Sequence, residues 1–88
     1  MESRFKPGQI IKHFKRDFLP EEERNTMYLY RVVAIAKHTE TSEPMLIYQG
    51  LYPPFETYVR PLDMAEQKVD KGKYPDVKQE YRLQVWEN

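Results

Sequence analysis

The sequence contains no cysteine. Disulfides, thiolate nucleophiles and cysteine-ligated zinc are therefore excluded, and the composition fits a reducing compartment. Glycine occurs only at Gly8, Gly50 and Gly72, too widely spaced to build a phosphate-cradling loop. The two histidines, His13 and His38, have no local ligand spacing. No apolar run is long enough for a signal peptide or a membrane span, and the opening MESRFKPGQII reads as the start of a cytoplasmic chain with no membrane contact. Net charge is missing too. Lys and Arg total 14, as do Asp and Glu, so no global field steers the chain toward nucleic acid.

The charge is unevenly placed. Residues 1–16 carry a local +4 from Arg4, Lys6, Lys12, Lys15 and Arg16 against Glu2, and residues 17–26 carry a local −3. Neighbouring segments that neutralise each other explain this directly. The alternative is a basic strand making weak, salt-sensitive phosphate contacts.

Eighty-eight residues suffice for one domain and are too few for two cores, so residues 1–88 are expected to fold as a unit. Lys6-Pro7-Gly8 signals a turn, and "QIIKHF" after it is β-prone. "KRDFLPEEERNTM" breaks the pattern and predicts an exposed excursion over about 17–27, with one helical turn opened by Pro20 and its acidic followers. "YLYRVVAIAK" is the strongest strand, with Leu29, Val33 and Ile35 on one face and Tyr28, Tyr30, Val32 and Ala34 on the other. "HTETSEP" predicts a loop leading into a second strand, Met45 to Tyr52, and the two form an antiparallel hairpin. Gly50 inside that strand predicts a bulge or a close backbone approach. "TYVR" adds a short third partner, "PLDMAEQKV" a turn or helical segment, "DKGK" a turn, and "KQEYRLQVW" a last strand. Short strands with polar turns predict a mainly β fold, an SH3-like or strongly bent antiparallel barrel with at most short helical turns.

No reaction motif is complete, and no cofactor is implied. His13 and His38 with Glu40 or Asp63 could assemble a metal site only through the fold. His38 and Glu40, two apart, would share a face of a continued strand, where the carboxylate could tune the imidazole as a general base. Ser42, Thr39 and Thr41 lie in the same loop without an oxyanion site, so a loop-capping cluster is the simpler reading. Arg60 ends a strand and could fork onto a carboxylate or phosphate, or clamp Asp63 or Glu40. Tyr48, Tyr52, Phe55 and Tyr58 gather around Pro53-Pro54 near Arg60, a combination suited to stacking on a base or gripping a peptide, although a small β core needs such rings too.

Four blocks in order carry a resemblance: "HFK" (His13 to Lys15), "YRVVAIAKHTET" (Tyr30 to Thr41), "YQGLY" (Tyr48 to Tyr52) and "YVRPLDM" (Tyr58 to Met64). The chain resembles the small bacterial domain-of-unknown-function family numbered 1653 from about residue 7 to 81. Thr39 stands where that family usually has Ser, Tyr58 where it has Trp, and Ala65 where it has Phe, and the "FLPEEERNTM" segment is longer. The resemblance implies a compact, mainly β domain and no established activity. It marks His38, Glu40, Thr41, Tyr48, Tyr52, Arg60, Pro61 and Asp63 as motif positions.

Taken together, these features predict a non-catalytic binding module for a nucleic acid, a peptide or an anionic ligand. His38, Glu40, Tyr48, Tyr52, Arg60 and Asp63 are the candidate ligand-binding residues. A small enzyme using His38 and Glu40, or a subunit-interaction domain, is the alternative.

Overall fold

The run from Leu29 to Lys37 contains no Gly or Pro and is dense in β-branched and aromatic side chains, and it forms the central strand of a five-stranded antiparallel sheet. The computed structural model describes residues 4–86; Glu2, part of the basic amino-terminal charge count, lies outside the described residues. The strands are β1 (Ile10–His13), β2 (Leu29–Lys37), β3 (Pro44–Gly50), β4 (Thr57–Pro61) and β5 (Leu83–Val85), in the order β4-β3-β2-β1-β5. A 3-10 helix (Phe14–Phe18) and α1 (Glu21–Arg24) follow β1, and α2 (Leu62–Ala65) follows β4. Among the described residues, no helix is long and apolar enough to cross a membrane.

The β2–β3 hairpin has the predicted antiparallel sense, from Tyr30 opposite Gly50 to Lys37 opposite Pro44. It carries a bulge that alternation alone did not reveal. Val32 pairs with Tyr48 and Ala34 with Ile47, so Val33 is the extra residue and lies 46% exposed. The insertion flips the alternation. Ile35, opposite Leu46, therefore joins Tyr30 and Val32 on the core face rather than Leu29 and Val33. Neither the bulge nor the close backbone approach expected at Gly50 is found: the bulge is at Val33, and a Cβ at Gly50 would meet only the Tyr52 ring, 3.4 Å from Cε1.

The expected SH3-like or strongly bent barrel is not formed. The sheet is open, with β4 and β5 as separate edges. Closing a barrel requires edge strands that pair along a consistent stagger. Here β5 has only three residues, and the chain returns from β4 through α2. Leu62 and Ala65 of α2 join Phe5, Ile11, Tyr30, Val32, Leu46, Tyr48 and Leu83 in one buried cluster. The return thus covers the core face of the sheet, where a barrel would need a strand at the edge. Ile11, Val32, Leu46 and Leu83 are fully buried, each contributing about 1.5–3 kcal/mol.

The predicted excursion is fastened more firmly than its polar sequence suggests. Phe14, Val69 and Val77 form a second small cluster with Tyr74 against it. Arg16 is buried and donates from Nη1 to the carbonyls of Arg24 (3.1 Å) and Met27 (2.8 Å), with its guanidinium 4.9 Å from the centre of the Trp86 ring. Gln79 holds the returning chain through Nε2, which donates to the carbonyls of Lys12, Tyr81 and Arg82.

Candidate ligand-binding site

Strand register decides which side chains meet. Ile11 lies opposite Tyr30 and Val85, His13 opposite Leu83, Tyr48 opposite Val32 and Tyr58, and Leu46 opposite Arg60. Directly paired residues share a face. His13, Tyr30, Tyr48, Tyr58 and Arg60 therefore stand on one face of the sheet, at positions spread over four strands.

On that face the tyrosines form a continuous wall. Ring centres lie 5.2 Å apart for Tyr30 and Tyr48, 5.6 Å for Tyr48 and Tyr58, 6.2 Å for Tyr30 and Tyr58, and 5.7 Å for Tyr30 and Tyr52. Tyr28 continues the wall from Tyr52 (6.3 Å) to the His13 imidazole (5.7 Å). The Tyr30 and Tyr52 hydroxyls share a hydrogen bond of 2.8 Å. Tyr30 and Tyr48 are buried, Tyr28 and Tyr52 are half-buried, and Tyr58 is 37% exposed, so the wall runs from core to solvent. Tyr28 holds a left-handed backbone (φ 61°), a conformation costing a side-chain-bearing residue about 1–2 kcal/mol.

The charges near this wall are mostly of one sign. Burial first, then the positive charges of Lys15, Arg60 and Arg82, hold the His13 imidazole down at about 4. The neutral ring uses Nδ1 to accept the backbone N–H of Lys15 at 3.1 Å, capping the 3-10 helix. Arg82 donates to Oε1 of Gln67 at 3.3 Å. Among the described residues the ion pairs are Lys12–Asp17 and Lys68–Glu80, so neither Arg60 nor Arg82 is neutralised. Burial and the Tyr52 hydrogen bond push the Tyr30 phenol up, and burial pushes Tyr48 up against the opposing pull of Arg60. At neutral pH the wall therefore offers phenol O–H groups, ring faces and arginine donors.

The six predicted site residues separate into two groups. Tyr48, Tyr52 and Arg60 belong to the wall or its edge. His38 and Glu40 lie in the β2–β3 loop beyond Lys37, with His38 about 25 Å along the hairpin from Tyr30 at ~3.3 Å per residue. There His38 Nδ1 accepts the backbone N–H groups of Glu40 (3.1 Å) and Thr41 (3.4 Å), and the Thr41 hydroxyl accepts from Glu43 N–H at 3.2 Å. The imidazole meets the Glu40 backbone where a general-base pair would use its carboxylate. Asp63 is exposed on α2 and makes no ion pair with Arg60. No three metal-ligating side chains gather among the described residues, so His13, His38, Glu40 and Asp63 do not assemble a metal site. Phe55 is 53% exposed, away from the ring network.

His13, Tyr28, Tyr30 and Arg82 complete the constellation and were not singled out as ligand contacts from sequence. Their alternation was visible, with His13 sharing a face with Ile11 and Tyr28 with Tyr30. The pairing that joins those faces was not. Two cavities, about 510 and 660 Å³, open elsewhere, and both are lined by Lys12 and Gln84, which face each other on the opposite side of the sheet. The larger mixes Lys12, Arg24 and Lys78 with Asp17 and Asp76, and within it Lys12 pairs with Asp17. Neither contains any of the six predicted residues.

Residues 9–84 match the model of a family described as "Protein of unknown function (DUF1653)". No curated protein and no solved structure matches the chain.

Proposed function

Since the chain belongs to the DUF1653 family, a family of unknown function, we propose from its own geometry that it is a non-catalytic binding module for a phosphate- or carboxylate-bearing ligand. The ligand's anion would pair with Arg60 and Arg82, and its apolar or planar part would lie against Tyr58 and Tyr52. One observation carries this reading: two arginines that make no ion pair among the described residues flank a wall of tyrosines. Arginine forks suit carboxylate and phosphate, and exposed aromatic faces accept planar groups. The strained backbone of Tyr28 adds support, because such conformations concentrate at functional sites.

The test is titration with inorganic phosphate, adenosine monophosphate and a short single-stranded oligonucleotide, followed by residue-resolved NMR. Shifts are expected at His13, Tyr52, Tyr58, Arg60 and Arg82. Losing a charge-assisted hydrogen bond costs about 1.5–3 kcal/mol, so Arg60→Ala should weaken binding roughly 10- to 100-fold. Thermal stability should stay within about 0.5 kcal/mol of wild type, since the side chain makes no ion pair among the described residues. A strand lying across the wall should show a steeper salt dependence than the mononucleotide, because it contacts more phosphates. Shifts confined to the Lys12–Gln84 side of the sheet, or an Arg60→Ala protein that melts early and binds normally, would refute the proposal.

A further inference from the structure

The outer edge of β4 has a second use. Gly50 N–H donates to the Glu56 carbonyl at 2.9 Å, and antiparallel pairing alternates from there, so Tyr58 and Arg60 direct their backbone groups at β3. Thr57 and Val59 consequently direct theirs outward, and no hydrogen bond within the described residues uses them. Such an edge is a template for another strand unless charge, proline or a bulge blunts it. Pro61 ends β4, but the central part carries Val59 at 62% exposure and no lysine.

The sequence around this edge identifies the occupant. Glu56-Thr57-Tyr58-Val59-Arg60 read backwards places Arg where Glu stood, exchanges the two β-branched residues, and keeps tyrosine at the centre. We infer that β4 pairs antiparallel with β4 of a second copy of this chain, about a two-fold axis between the two Tyr58 residues. In this register Thr57 and Val59 of the partner subunit form hydrogen-bonded pairs with Val59 and Thr57. Glu56 stands directly across from Arg60 of the partner subunit, twice over, on the face that carries the tyrosine wall. These side chains have complementary charge, and neither forms an ion pair among the described residues of its own chain. Shifting the register by two residues in either direction keeps the backbone bonding phase but brings Arg60 opposite Tyr58, or Tyr58 opposite Glu56. Each of these registers is two-fold symmetric, but only the one centred on Tyr58 matches both charges.

This inference goes beyond the ligand-binding reading and does not depend on it. The two meet at Arg60, which serves either an anion or the partner's Glu56, so a bound anion should favour the monomer.

Sedimentation equilibrium of the full chain, without ligand, from micromolar to millimolar concentration tests it. Wild type should show a concentration-dependent dimer. Glu56→Arg and Arg60→Glu should each raise the dissociation constant about tenfold or more, because each replaces two attractive pairs by two repulsive ones. The double variant Glu56→Arg/Arg60→Glu should recover the wild-type dimer, since the pairs are merely exchanged. Val59→Pro removes an outward-facing donor without touching the β3 ladder, and should leave a folded monomer by circular dichroism. A wild type that stays monomeric throughout overturns the inference. So does a dimer indifferent to the single charge reversals, or one that the double variant fails to restore. If a charge variant does not fold, Val59→Pro decides: a dimer of wild-type strength in that protein refutes the β4 edge.

Discussion

His13 makes stability depend on pH in a way that can be calculated. Burial and three cations lower its pKa from 6.5 to about 4, so the folded state keeps the ring neutral where the unfolded chain protonates it. Above pH 6.5 both states are neutral and the group contributes no slope. As pH falls below 6.5 the unfolded chain takes up the proton first, and stability declines by up to about 1.4 kcal/mol per pH unit. Near pH 4 the folded state protonates too, and the decline from this group ends. The full shift corresponds to roughly 3 kcal/mol at about 1.36 kcal/mol per unit. The ring is partly solvated, so screening reduces this to about 2 kcal/mol. Protonation also turns Nδ1 from acceptor to donor and breaks the cap on Lys15 N–H. The control is His13→Asn, which retains a capping acceptor and cannot titrate in this range. Urea unfolding at a series of pH values between 7 and 4 should show a gap between wild type and variant that changes by about 2 kcal/mol across that window. Losing the ring's stack on Phe14, 4.6 Å between centres, shifts the whole curve but not its slope. Parallel pH profiles, or a His13 NMR titration centred at the ordinary imidazole value, would refute the reasoning.

Two further substitutions test how the fold is fastened. Arg16→Ala removes the donors to the Arg24 and Met27 carbonyls and the contact with Trp86, and should cost about 2–4 kcal/mol in urea unfolding. A loss well under that would mean the 14–27 segment holds its place without the arginine. Gly8→Ala should cost about 1–2 kcal/mol even though the space around it is empty, because its φ of +91° suits glycine alone. Gly50→Ala should be nearly neutral, since its Cβ would meet the Tyr52 ring at an ordinary contact distance of 3.4 Å. Thermal melts in the reverse order would show that local packing outweighs backbone conformation at these sites.

Much of the strand inventory was legible because it rests on local chemistry. The uninterrupted apolar run gave β2, the loop residues 38–43 gave the hairpin, and Pro20 before three glutamates gave α1. Closure was not legible. An open sheet and a barrel can use the same short strands, and what separates them is whether the edges meet. That depended on α2 bringing Leu62 and Ala65 into one buried cluster with Ile11, Leu46 and Leu83, residues far apart in sequence. The candidate site was half legible for the same reason. Tyr48, Tyr52 and Arg60 are close in sequence and remain close in space. His13 and Arg82 reach the same region from β1 and from just before β5, and only the sheet order brings them there. His38 and Glu40 attracted attention as a two-residue spacing on a strand, but the strand ends at Lys37, and a turn has no shared face for them.

The bulge at Val33 makes chain length expendable at one point of the central strand. Removing one residue from such a strand ordinarily turns every later side chain to the wrong face. Here the partners on either side of Val33 are consecutive in β3: Tyr48 faces Val32 and Ile47 faces Ala34. A chain lacking Val33 could join Val32 to Ala34 in regular pairing, with Ile35 still over Leu46 and the tyrosine wall untouched. Lineages could therefore lose or regain this residue without moving the hairpin loop relative to the core.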